Sequence, residues 1–356
     1  MDSSILMSSQ TVAYDFNKTV ALENGIDEVG SADPISDDIL RITMFVNYGI
    51  ICGIISLTGV VLNSINIAVF ISQGFHDTIN ITLLALSVAD LGSLVTLVWM
   101  SLCYNPLVVG ALPEINFIEV QHITAGWPHV CFTRISSWLM AFITVERYLC
   151  IALPLKVKAL LTRGRTTCVV FGIFFVVIAT VVPVYVAIHI TSHTSGINSA
   201  KQYGIEYIPG GPELENVSVF CNSLHQISTF VIVIICTSGL VSKVTEKSKW
   251  RNATSSASKL ESVSARDRKV VKLVIIIAVL FIVTFTPVVI HLLVMFCEHE
   301  FTVGRKYQNL FLFCGTFIFN LEAINAACSF FVYIKMSSKF RQVLMARFFH
   351  VKQTKD

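Results

Sequence analysis

Two charged residues stand side by side in an otherwise apolar stretch, Glu146 and Arg147 in "FITVERYLCIALPL". A charge buried in hydrocarbon is expensive unless it is paired or reaches water, about 2.5–3.5 kcal/mol on insertion scales. The pair must therefore lie near a membrane interface or belong to something that switches. Three further charges fall in apolar surroundings: Asp90, Arg134 and Glu322. Arg134 precedes Arg147 by about 13 residues, roughly 20 Å along a helix. Two readings of Arg134 and Glu322 stand open. They pair across a helix bundle as a structural lock, or they offer opposite charges to the two ends of a zwitterionic ligand.

The elements that must position these groups are membrane spans. The chain is 54% hydrophobic and only 14% charged, against about 25% charged residues in a soluble domain. A spanning helix needs roughly 20 mostly apolar residues, and seven runs meet that demand, at about 43–70, 80–104, 127–151, 167–190, 217–242, 270–296 and 308–334. Pro128 suits the first turn of the third. Pro183 and Pro287 predict kinks in the fourth and sixth, where neighbouring helices satisfy the freed carbonyls.

Lysine and arginine orient the bundle. One side carries Lys156, Lys158, Arg163 and Arg165, a basic series from Lys243 to Lys272, and a tail with Lys335, Lys339, Arg341 and Arg347. The other side carries only Lys18, Arg41, Lys201, Arg305 and Lys306. The N-terminus is expected outside and the C-terminus inside. The expected fold is an all-α membrane protein, a seven-helix bundle over 43–334. An acidic outer tail (1–42), read as no cleaved signal peptide, precedes it. Residues 335–356 follow as a cytoplasmic segment, in which Phe340, Val343, Leu344 and Arg347 set an apolar face against a basic one. That suits a short helix on the inner leaflet. Sequons at Asn17 and Asn216 would face the secretory lumen as glycosylation sites. Most cysteines lie in apolar runs as packing residues; Cys297 and Cys314 are either a bridge or two free thiols.

Several function classes recede. No His-Glu-x-x-His pair and no Gly-x-Ser-x-Gly elbow argues for a membrane enzyme. A transporter or channel lacks support from an inverted repeat or from abundant pore-facing charge. The basic residues lie in short loops and a tail, with no soluble domain to present them to nucleic acid.

Seven spans of this orientation, with "ERYLCIALPL" at the inner end of the third, resemble the rhodopsin-like (class A) G-protein-coupled receptors over about residues 45–345. Asn63, Asp90 in "LALSVAD", and Phe281 and Pro287 in "FIVTFTP" fall in register with that family. The resemblance implies a heterotrimeric G protein as partner, an extracellular small-molecule or peptide ligand, and a switch built on Glu146, Arg147, Tyr148, Asp267, Phe281, Phe285, Pro287 and Tyr333. It places Asp267 as a second carboxylate partner of Arg147. Asp90, Ser136 and Asn325 correspond to the ligands of an internal sodium ion; the alternative is a protonated or hydrated Asp90. His129, Thr133 and His291 would look into the ligand cavity, while Phe285 and Phe319 read as packing. Ala323 stands where light receptors carry their Schiff-base lysine, so no retinal is expected. This chain departs from the pattern at Ser329 and Phe330, at Phe285 where Trp is usual, and at His122, where a disulfide cysteine is expected. Within the family, "LPLKVK", "RDRKVVKLV" and "VYIKMSSKFR" look most like the candidate chemosensory receptors of molluscs, with peptide receptors of the FMRFamide type as the rival.

Overall fold

The computed structural model describes residues 33–153, 161–195, 200–253 and 261–348, the side chains of 193–195, 200, 247–253 and 261–268 excepted. Among the described residues, seven helices are long and apolar enough to cross a membrane. These spans are α1 (Asp37–Gln73), α2 (Thr78–Cys103), α3 (Phe117–Ala152), α4 (Arg163–Ala187), α5 (Gly211–Ala253), α6 (Glu261–Cys297) and α7 (Gln308–Met336). A shorter helix, α8 (Ser338–Phe348), follows.

Burial is arranged for lipid outside and packing inside. Phe171 and Phe175 on α4 are 70% and 75% exposed, whereas Leu97, Ile135, Leu139 and Phe285 are almost wholly enclosed. Large apolar side chains turned outward at that level would be costly in water at about 25 cal/mol per Å². A bilayer removes the cost.

Helix ends differ from the hydropathy runs where local chemistry extends them. α1 begins at Asp37, because the Ser36 hydroxyl caps it by accepting from Ile39 N. The Asp33 carboxylate also accepts from Asn309 N at 2.7 Å, capping α7 from a distant part of the chain. Pro128 does stand in the first turn of the regular segment Trp127–Ala152. A π-helical turn, His122–Gly126, and a short helix, Phe117–Gln121, carry the span further outward. Helix α8 buries Phe340 and Leu344. Phe340 packs against Phe70 and Tyr333, so the apolar face expected to lie on the inner leaflet meets the bundle.

Hydropathy did not foresee the outer hairpin. Strands β1 (Ile188–Ser195) and β2 (Ala200–Tyr207) pair antiparallel between α4 and α5. Tyr203 N donates to Glu114 O and Asn116 N to Tyr203 O, which ties the hairpin to the first outer loop. Its short polar alternation carries no long apolar run. All ten cysteines are free thiols, Cys297 and Cys314 among them.

Candidate functional site

Beneath the hairpin, between the outer halves of α3, α5, α6 and α7, lies a cavity of about 370 Å³. Its walls include Tyr48, Trp127, Val288, His291, Leu292, Phe311 and Phe319, and both Arg134 and Glu322 line it. Ligand cavities are commonly about 300–1,000 Å³, largely apolar, with a few placed polar groups.

The polar groups form one buried network. His129 Nε2 donates to Glu322 Oε2 at 2.9 Å, while the other ring nitrogen, Nδ1, faces Ser93 Oγ at 3.0 Å. Arg134 Nη1 lies 3.9 Å from Glu322 Oε1, beyond hydrogen-bond distance, and donates instead to Gln226 Oε1 on α5. Ser137 Oγ donates to the same oxygen at 3.2 Å. Arg134 Nε and Gln226 Nε2 are buried without a partner. Unfilled donors in so dry a place are uncommon, since most buried polar groups are hydrogen-bonded.

Several expectations change here. His129 and Thr133 do not reach the cavity wall: His129 is fully enclosed, and Phe319 stacks on its ring at 4.9 Å. Phe319, read from sequence as packing, forms part of the wall instead. His291 does line it, packed against Phe311 at 4.5 Å. Phe285 is a packing residue, stacked on Phe281 at 4.3 Å. Gln226 went unnoticed, although a glutamine in an apolar run is itself a signal of a buried polar contact.

At the cavity rim, Glu215 of α5 is 2% exposed and accepts from three side chains. His122 Nε2 donates at 2.7 Å, Trp127 Nε1 at 3.0 Å and the Tyr207 hydroxyl at 2.7 Å. From sequence, Glu206, Glu213 and Glu215 suit either a basic peptide ligand or a solvated outer surface. Glu213 is exposed and Glu206 largely so, but Glu215 is a buried clasp. It joins the outer end of α3, the hairpin and α5 at the level where His122 replaces the expected cysteine. Asn216, beside it, is half-buried on the same helix.

Near the inner face, Arg147 Nη2 donates to Glu146 Oε1 at 2.6 Å. The Thr78 hydroxyl of α2 donates to that oxygen at 2.6 Å as well, and Glu146 Oε2 is buried without a partner. Tyr148 packs so closely on α5 that a Cβ on Gly239 would meet its ring at 2.8 Å. The side chain of Asp267 lies outside the described residues, as does Asn17. Tyr333 is 1% exposed and packs on Phe70. Pro287 lies within the continuous helix α6.

In the bundle centre, Ser136 Oγ donates to Asp90 Oδ1 at 2.6 Å. Asn325 Oδ1 instead accepts from Thr284 Oγ1 of α6 at 3.4 Å. Oxygen donors suit a hard cation such as sodium, and here the Asp90 carboxylate and the Ser136 hydroxyl are in direct contact.

A family model described as the seven transmembrane receptors of the rhodopsin family matches residues 63–342. The human growth hormone secretagogue receptor type 1 is 26% identical over 208 residues, 56% of this chain and 53% of that receptor. The chain thus spans about half the length of this relative.

Proposed function

This chain belongs to the rhodopsin family of seven-transmembrane receptors, and we propose that it works in the plasma membrane. Its outer cavity takes a small extracellular molecule, a chemosensory cue, and its inner face then activates a heterotrimeric G protein. The observation that carries the ligand side is the buried Arg134–Glu322 pair, at 3.9 Å, on the wall of a cavity of about 370 Å³. A ligand acts by binding one conformation better than another and so shifting their populations.

On the inner side, Arg147 held by Glu146 at 2.6 Å is the resting arrangement in this reading. Activation releases the arginine toward the G protein while α6 hinges near Pro287 and its inner end moves outward. Asp267 is assigned as the α6 partner that opposes this motion.

A peptide ligand, including one of the FMRFamide type, is the second reading. The cavity reaches from Glu322 up to Ile205 and Tyr207 of the hairpin, a path along which a peptide end fits. The relative named for growth hormone secretagogues points to no chemosensory role.

The test is ligand-induced G-protein dissociation in cells expressing the chain, with one arm of amino acids and other waterborne small molecules and one of neuropeptide pools. The small-molecule reading expects responses in the first arm that Arg134→Gln removes. Responses confined to peptides would move the protein to the second reading.

A further inference from the structure

We propose that the cavity wall is a carboxylate receiver, in which Arg134 exchanges Glu322 for the carboxylate of an organic acid with an apolar or aromatic body. The inference rests on the receptor reading above and names the chemistry of its ligand.

The unequal state of the charged groups carries it. Every carboxylate at the rim already has internal donors. Glu215 accepts from His122, Trp127 and Tyr207. Glu119 accepts from Asn116 Nδ2 at 2.7 Å and from Ile205 N at 3.0 Å. Deeper down, Glu322 is held by His129 at 2.9 Å. A basic ligand therefore meets acids that already hold internal donors, although Glu322 Oε1, 3.9 Å from Arg134, keeps room for another. The guanidinium is the opposite case. Arg134 has a neutral amide oxygen as its hydrogen-bonded partner, Glu322 stands too far off to accept from it, and Nε is open. Behind it, Gln226 Nε2 also lacks a partner, on a fully buried side chain that does not line the cavity. Planar carboxylates match the guanidinium fork with two parallel bonds.

The exchange also explains how binding reaches the helices. Arg134 is on α3, Gln226 on α5 and Glu322 on α7. When a ligand carboxylate takes the guanidinium, Glu322 keeps its hydrogen bond to His129. The attraction between Arg134 and α7 is lost, while the Arg134–Gln226 contact with α5 remains. Size is limited by the cavity, and its aromatic side chains, Tyr48, Trp127, Phe311 and Phe319, suit a flat or aliphatic body.

The experiment compares matched probes on the full chain: 3-phenylpropanoate and octanoate, their primary amides, phenethylamine, and L-phenylalanine. Phenylalanine-terminated short peptides are included as free acids and as C-terminal amides. G-protein dissociation is read in cells, and thermal stability on the purified receptor reports binding regardless of efficacy. Acids are expected to act while amides and the amine do not. Arg134→Gln should weaken the acids about 10- to 100-fold, the range for a hydrogen bond to a charged group. Arg134→Lys should fall between, and it serves if the glutamine variant fails to reach the surface. Glu322→Gln removes the competing carboxylate and should preserve or raise acid potency.

Equal loss in Arg134→Gln and Glu322→Gln, with L-phenylalanine the best probe, would mean a zwitterion held between the two charges and would overturn the proposal. Amides as potent as acids, or no acid shifting either readout, would overturn it too. Activity of free-acid peptides but not of free organic acids would identify a peptide C-terminus as the source of the carboxylate. The receptor reading fails on a separate measurement: agonist-free G-protein activation that Arg147→Ala leaves unchanged.

Discussion

Two arginine–glutamate pairs among the described residues lie toward opposite faces and are built differently. The inner pair, Glu146 and Arg147, is adjacent in sequence and closes to 2.6 Å. The outer pair, Arg134 and Glu322, is separated by most of the chain and stands at 3.9 Å, with His129 and Gln226 taking the short bonds. A short charge-assisted bond is strong. A loose pair beside a cavity keeps unused donors that a ligand can address. Both pairs leave buried polar atoms without a partner, Glu146 Oε2 and Arg147 Nε in one and Arg134 Nε in the other. The difference teaches that pairing alone does not separate a lock from a receptor site; the cavity beside the outer pair does.

Breaking the inner pair is the strongest test of that contrast. Removing one partner of a buried ion pair typically costs about 3–5 kcal/mol. Glu146→Ala is therefore expected to raise agonist-free signalling sharply at equal surface expression; unchanged basal activity would reduce this pair to a structural contact.

Next in size is the rim. His122, 38% exposed, can turn to solvent, but Glu215→Leu leaves the buried Trp127 without its acceptor, at about 1–3 kcal/mol for a buried group left unsatisfied. It should lower both surface expression and melting temperature, and a stable, fully expressed variant would show that the hairpin is held without the clasp.

Asp267→Ala should raise basal signalling less than Glu146→Ala, because Arg147 keeps its 2.6 Å partner. An equal or larger rise would shift the lock from α3 itself to the α3–α6 contact.

The smallest effect is expected at Thr78, whose hydroxyl steadies Glu146 at 2.6 Å. Thr78→Val removes one hydrogen bond, about 1 kcal/mol, and should raise basal signalling a few-fold, with Thr78→Ser restoring it. No difference between Val and Ser would mean that the hydroxyl does not position the acid.

Much of this architecture is written in local sequence. A membrane span depends on the transfer of about 20 consecutive residues, and its orientation on the basic residues beside it. The seven spans, the neighbouring Glu146 and Arg147, and the unusual placement of Arg134 and Glu322 could all be read from short windows. The boundaries were less legible, because caps at Ser36 and Asp33 and the π-helical turn before Pro128 extend helices by hydrogen bonding rather than by hydropathy.

Only the tertiary structure decided which polar groups meet. Nothing local pairs His129 with Glu322, brings Gln226 to Arg134, or folds three donors around Glu215. Those contacts join different spans, and they depend on how each helix is rotated about its axis. That rotation is set by packing across the whole bundle, so the sequence determined that charges would lie inside the membrane, and the fold determined which of them stayed open to a ligand.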